Sequence, residues 1–138
     1  MNAFLKEFDL QLKLFNNKEF EVGFQLKKET FLRSLKSPTG KQKYKRYTNG
    51  TPLRYAGGKT LAVGFIVELL PNNLKRIISP CFGGGSFEIA CAKELDLEVK
   101  GFDIFDMLVN YWQHQFTHSE EMYQYLKNYN PTKDRSEE

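Results

Sequence analysis

Cysteine is nearly absent from this chain. Cys81 and Cys91 are the only two in 138 residues, ten positions apart, so neither a disulfide framework nor a four-ligand zinc site can be assembled from them, and no metal site is expected. Long apolar runs are missing too. None approaches the roughly 20 residues that a membrane-spanning helix needs, and the N-terminal MNAFLKEFDL interleaves charge too early for a secretory signal. These absences describe a reduced, cytoplasmic protein without a membrane segment. There are no internal repeats and no long low-complexity tract. The length fits one domain, which leaves little room for a separate substrate module.

What is present is a globular composition with an aromatic excess: 41% hydrophobic and 27% charged residues, with 12 Phe, 7 Tyr and 1 Trp. The net charge of +3 conceals an asymmetry, because residues 1–59 carry 13 Lys or Arg against 5 Asp or Glu, and residues 60–138 carry 7 against 12. The basic half either meets a polyanion such as DNA or is simply a basic surface.

Along the chain, Phe8, Leu10, Leu12 and Leu14 alternate with polar residues, Asn16-Asn17 intervenes, and Phe20, Val22, Phe24 and Leu26 alternate again. That pattern predicts a β-hairpin, with a short helix over 28–36 to pack on it. A breaker-rich basic linker follows, with Lys41, Lys43, Lys45 and Arg46 interleaved with Tyr44 and Tyr47, residues able to contact phosphates and to stack. From Thr60 the character turns to α/β. Leu61, Ala62, Phe65, Ile66, Leu69 and Leu70 predict a helix that stops at Pro71. Arg76–Ser79 reads as a strand, Pro80–Gly85 as a glycine-rich turn, 87–95 as a helix, and 98–102 as a second strand ending on Asp103. Helices are predicted over 106–115 and 120–127, before a polar tail at 131–138 that frays.

Gly83-Gly84-Gly85 thus follows a strand and opens a helix, where an α/β sheet brings backbone N–H groups to a ligand over its strand ends. Asp103 lies twenty residues past Gly83, at the end of the next strand, where a carboxylate accepts both hydroxyls of a ribose. A ribosyl ligand is one reading; a tight turn with Asp103 capping the next helix is the other. The dinucleotide fingerprint fails because Glu88 stands where glycine or alanine is needed, which disfavours NAD. Gly58-Lys59-Thr60 resembles the end of a phosphate loop, but Leu53 occupies its first glycine position, which disfavours ATP hydrolysis.

Arg54-Tyr55-Ala56-Gly57-Gly58-Lys59 ahead of a helix, then Ser79-Pro80-Cys81-Phe82-Gly83-Gly84-Gly85-Ser86, then Phe102-Asp103-Ile104 and Leu108–Gln113, together resemble the N-terminal half of Dam-type DNA adenine-N6 methyltransferases over about residues 51–127. The resemblance implies a partial, incomplete Rossmann-like methyltransferase sheet, S-adenosylmethionine as cofactor and DNA as partner, as in restriction-modification. It implies that Tyr55, Gly57, Gly58 and Lys59 line the methionine end of the cofactor, with Lys59 near its carboxylate. Pro80, Phe82, Gly83, Gly84 and Gly85 would lie beneath it, Asp103 would hold the ribose, and Ile104 would flank the adenine. Asn110 and Tyr111 match the segment after the acid, and Trp112 has the character of a core aromatic.

Three departures stand out. The family usually has an acid before the proline of the glycine loop, an aromatic after it and an asparagine two positions past the ribose acid; this chain has Ser79, Cys81 and Phe105. The Asp-Pro-Pro-Tyr-like segment with which such enzymes hold a flipped adenine is missing, since the prolines at 38, 52, 71, 80 and 131 include no Pro-Pro pair. No catalytic residue is therefore assigned. The expectation is a basic hairpin extension and linker over 1–50 and an S-adenosylmethionine-binding part over 51–130. The enzyme is expected to be truncated or split, inactive by itself, with a second polypeptide completing it. A repurposed DNA-binding module and a different nucleotide-binding enzyme are the alternatives.

Overall fold

The computed structural model describes residues 6–10 and 17–129. Its elements run β1 (Lys6–Leu10), α1 (Asn17–Leu35), α2 (Val63–Leu69), β2 (Arg76–Ser79), α3 (Ser86–Leu95), β3 (Glu98–Asp103), α4 (Asp106–Thr117) and α5 (Ser119–Asn128). The result is a mixed α/β fold with an open three-stranded sheet in the order β1-β3-β2. β2 and β3 are parallel, with Ser79 opposite Gly101, and α3 is the crossover between them. β1 lies antiparallel on the other side of β3, with Lys6 opposite Asp103. The expected tail at 131–138 lies outside the described residues.

The predicted N-terminal hairpin is not formed. Its first arm contributes β1, which pairs with β3, and residues 11–14 lie outside the described part. Its second arm is the middle of helix α1, which also absorbs the predicted helix over 28–36. The reason is the spacing of what becomes buried: Phe24, Lys28, Phe31 and Leu35 recur at helical intervals and are buried, whereas Val22 and Leu26, two of the alternating residues, stay exposed. Lys28 masked this stripe in the sequence. Its ammonium reaches the Leu70 carbonyl and Asn72 Oδ1 at the end of α2 while its stem lies in the packed face.

Helix α2 ends before Pro71 as expected, but it buries Val63, Gly64 and Val67 and leaves Leu61, Phe65 and Leu69 exposed. The segment is apolar around its whole circumference, so periodicity alone could not choose the inward face. Gly64 is needed there because a Cβ would come within 2.5 Å of Tyr44 Cγ. Tyr44 and Tyr47 are buried rather than available for stacking; Tyr47 packs edge-on against Phe31 and donates its hydroxyl to Glu94 Oε1 at 2.8 Å. Residues from both sides of position 50 share one core, from Phe24 and Tyr47 through Val63 and Leu97 to Trp112. The charge asymmetry is partly resolved within the fold, where Lys27 pairs with Asp96, Lys43 with Glu68 and Lys59 with Glu88.

Candidate functional site

Helix α3 begins with Gly85 in the left-handed region, φ 67°, and ends on Asp96, also left-handed, whose N–H joins that of Leu97 on the Cys91 carbonyl. This helix end fixes the return into β3, where Val99, Gly101 and Asp103 face inward in alternation. Asp103 is therefore delivered, largely buried, to the carboxyl end of the sheet beside the bend that leaves β2.

The bend is anchored on both sides. Phe82 N–H bonds to the Phe102 carbonyl at 2.9 Å, and Gly85 N–H closes a turn onto the Phe82 carbonyl at 2.9 Å. Gly83 N–H donates to Asp103 Oδ2 at 2.8 Å, and the Gly83 carbonyl accepts from Trp112 Nε1 at 2.9 Å. Asp103 Oδ1 accepts from Phe105 N–H at 3.0 Å, and each carboxylate oxygen retains capacity for another donor. Trp112 is a core residue, as its sequence character implies, and its indole holds the bend. Asn110 is exposed on α4, and Tyr111 packs edge-on against Trp112.

Above the bend lies a cleft of about 220 Å³ lined by Tyr55, Gly57, Gly58, Lys59, Cys81, Phe82, Gly83, Gly84, Gly85, Ser86 and Asp103. Nine of the eleven residues singled out in the sequence meet here. Pro80 and Ile104 are exposed and lie outside the lining. Gly57, at φ 75°, turns the chain so that Gly58 N–H bonds to the Tyr55 carbonyl, and Lys59 then opens the approach to α2. The Tyr55 side chain rests against Gly83 and Gly84, close enough that a Cβ on Gly84 would lie 3.0 Å from Tyr55 Cβ. A second groove of about 920 Å³ adjoins the cleft, sharing Tyr55, Gly57, Gly58, Gly84 and Ser86 and adding Arg46 and Arg54.

Glu88 has a larger part in the site than the sequence suggested, where it counted only as the residue that breaks the dinucleotide fingerprint. It is 1% exposed. Its Oε1 accepts from Ser79 Oγ at 2.6 Å and from Lys59 Nζ at 3.2 Å, and Lys59 Nζ also donates to the Cys81 carbonyl at 3.0 Å. Burial, followed by the charge of Glu88, pushes the neighbouring Cys91 thiol well above its ordinary range. Glu88 Oε2 and Ser86 Oγ are buried without a hydrogen-bond partner among the described residues. The signal that could have found Glu88 was the coincidence of a serine where an acid is usual and an acid three residues past the triglycine.

The arrangement offers a carboxylate beside an exposed backbone bend, a lysine at the opposite wall, and unused acceptor capacity beneath. That combination fits a nucleoside carrying an amino-acid end. Two comparisons complete the picture. A family model described as D12 class N6 adenine-specific DNA methyltransferase matches residues 55–138. No curated protein and no solved structure gives a match to the chain.

Proposed function

We propose, from the premise that this chain belongs to the D12 class N6 adenine-specific DNA methyltransferases, that its cleft binds S-adenosylmethionine within a Rossmann-like methyltransferase domain. The family requires a methyl-group donor and acts on DNA. The observation that carries the finer reading is the hydrogen bond between Gly83 N–H and Asp103 Oδ2, which unites the glycine bend and the acid at one wall of the cleft. The orphaned Glu88 Oε2 and Ser86 Oγ support the fit.

In this reading Asp103 accepts the ribose hydroxyls, the glycine bend lets the nucleoside approach the main chain, and Lys59 faces the methionine carboxylate. Tyr55 covers the bend and excludes water from it. Bound S-adenosylmethionine supplies a sulfonium-activated methyl group. The adjoining groove, with Arg46 and Arg54, suits the phosphates of DNA. These 138 residues contain no Asp-Pro-Pro-Tyr-like segment, so holding the cofactor is their own contribution, and orientation of the adenine amine belongs to a segment supplied from elsewhere, such as a second polypeptide. Equilibrium dialysis with labelled S-adenosylmethionine, competed by ATP and NAD, tests the ligand class. Retained label that neither competitor displaces is expected; displacement by either one reassigns the cleft. Methyl transfer to DNA by this polypeptide alone would overturn the assignment of amine orientation to another segment.

A further inference from the structure

The acid usual before the proline of the glycine loop is replaced by Ser79, yet the place is not without a carboxylate. Ser79 Oγ is bonded to Glu88 Oε1 at 2.6 Å, so the carboxylate of α3 lies against the end of β2 where the missing side chain would start. Its surroundings already hold an ammonium group. Lys59 Nζ sits between Glu88 Oε1 at 3.2 Å and the Cys81 carbonyl at 3.0 Å, an acceptor pair suited to a primary amine. Lys59 itself lines the cleft.

The second carboxylate oxygen, Oε2, is buried and has no partner among the described residues. Leaving a buried carboxylate oxygen without a donor is costly, and such exceptions call for a cause. A structural role for Glu88 would need only the Ser79 and Lys59 bonds on Oε1. Unused capacity on Oε2, one turn inside the helix that begins at the cleft, is what a site for an incoming amine requires.

Resting on the cofactor reading above, we infer that Glu88 is the acceptor for the α-ammonium group of the cofactor, taking over on α3 the task of the acid absent at position 79. Lys59 marks the site in this structure and turns to the α-carboxylate when the cofactor's amine arrives. The test is a binding cycle in the full chain, using S-adenosylhomocysteine and its desamino analogue as titrants against wild type and Glu88→Gln. Glu88→Gln is expected to weaken S-adenosylhomocysteine by about tenfold or more, the scale of a charge-assisted hydrogen bond, and to leave the desamino analogue unaffected. Ser79→Asp/Glu88→Gln, which returns the acid to β2, is expected to restore the preference for the amine-bearing ligand, and it serves where the single variant does not fold. Equal losses for both ligands, or none for either, would overturn the inference while the cleft assignment stands. Failure of wild type to bind S-adenosylhomocysteine at all would instead remove the cofactor reading itself.

Discussion

Replacing Gly85 by alanine attacks the point where the bend becomes helix α3. Gly85 has φ 67°, and a Cβ there would lie 2.4 Å from Phe82 Cε1 and 3.2 Å from Ile89 Cδ1. The left-handed conformation costs an L-residue about 1–2 kcal/mol. The Phe82 ring is 1% exposed and packs edge-on against Trp112, so it cannot swing aside, and overpacking of this kind adds about 1–3 kcal/mol. Stiffening of the unfolded chain returns only about 0.4–1 kcal/mol. The net loss is therefore about 1–4 kcal/mol, or several degrees in Tm for a chain of this size. Gly57→Ala is the matched control, since Gly57 has φ 75° but nothing within 4 Å of its Cβ position. Its loss should be about 1 kcal/mol or less. Urea unfolding of the two variants measures the difference. Equal losses would show that Phe82 is not fixed beneath the bend and would refute the packing on which the loop geometry depends.

Trp112→Phe removes the donor to the Gly83 carbonyl and leaves both a gap and an unmatched acceptor, for a loss of about 2–4 kcal/mol by thermal unfolding. Tyr47→Phe removes only the bond to Glu94 and should cost about 0.5–1.5 kcal/mol; a larger loss than Trp112→Phe would contradict the ranking. Alkali should destabilise the fold. Burial, helped by Glu94, raises the Tyr47 phenol above its ordinary 10.0, and burial, then Glu88, raises the Cys91 thiol above its ordinary 9.0. The native state keeps these protons after the unfolded chain has released them. Stability is thus complete below about pH 9 and falls above it by about 1.4 kcal/mol per pH unit for each retained proton. Urea midpoints that do not move between about pH 8 and pH 10.5 would contradict this.

The second half of the fold was legible because its signals agree with one another. Pro71 stops α2, the glycines precede α3, and Asp103 ends a strand whose alternation of Val99, Gly101 and Asp103 needs one buried face. The first half misled because Phe20, Val22, Phe24 and Leu26 satisfy a strand period while the true helical stripe runs through a lysine, and only tertiary packing decides between them. Tyr44 and Tyr47 were read as exposed because they stand among lysines, although their rings fill the space left by Gly64 and beside Phe31. At the site, order and spacing were enough to bring nine residues to one cleft. The Ser79–Glu88 contact was hidden because it joins a strand end to a helix interior, a relation fixed by the crossover geometry rather than by any local motif.

The most direct measurement is calorimetric titration of S-adenosylmethionine into the wild-type chain and into Asp103→Asn, with circular dichroism to show that both are folded. Asparagine retains one acceptor for the Gly83 or Phe105 N–H but loses the charge that two ribose hydroxyls would share. Saturable binding by the wild type, weakened about tenfold or more in Asp103→Asn, is the predicted result. Identical isotherms for the two proteins would contradict the assignment of Asp103 and, with it, the cleft as the cofactor site.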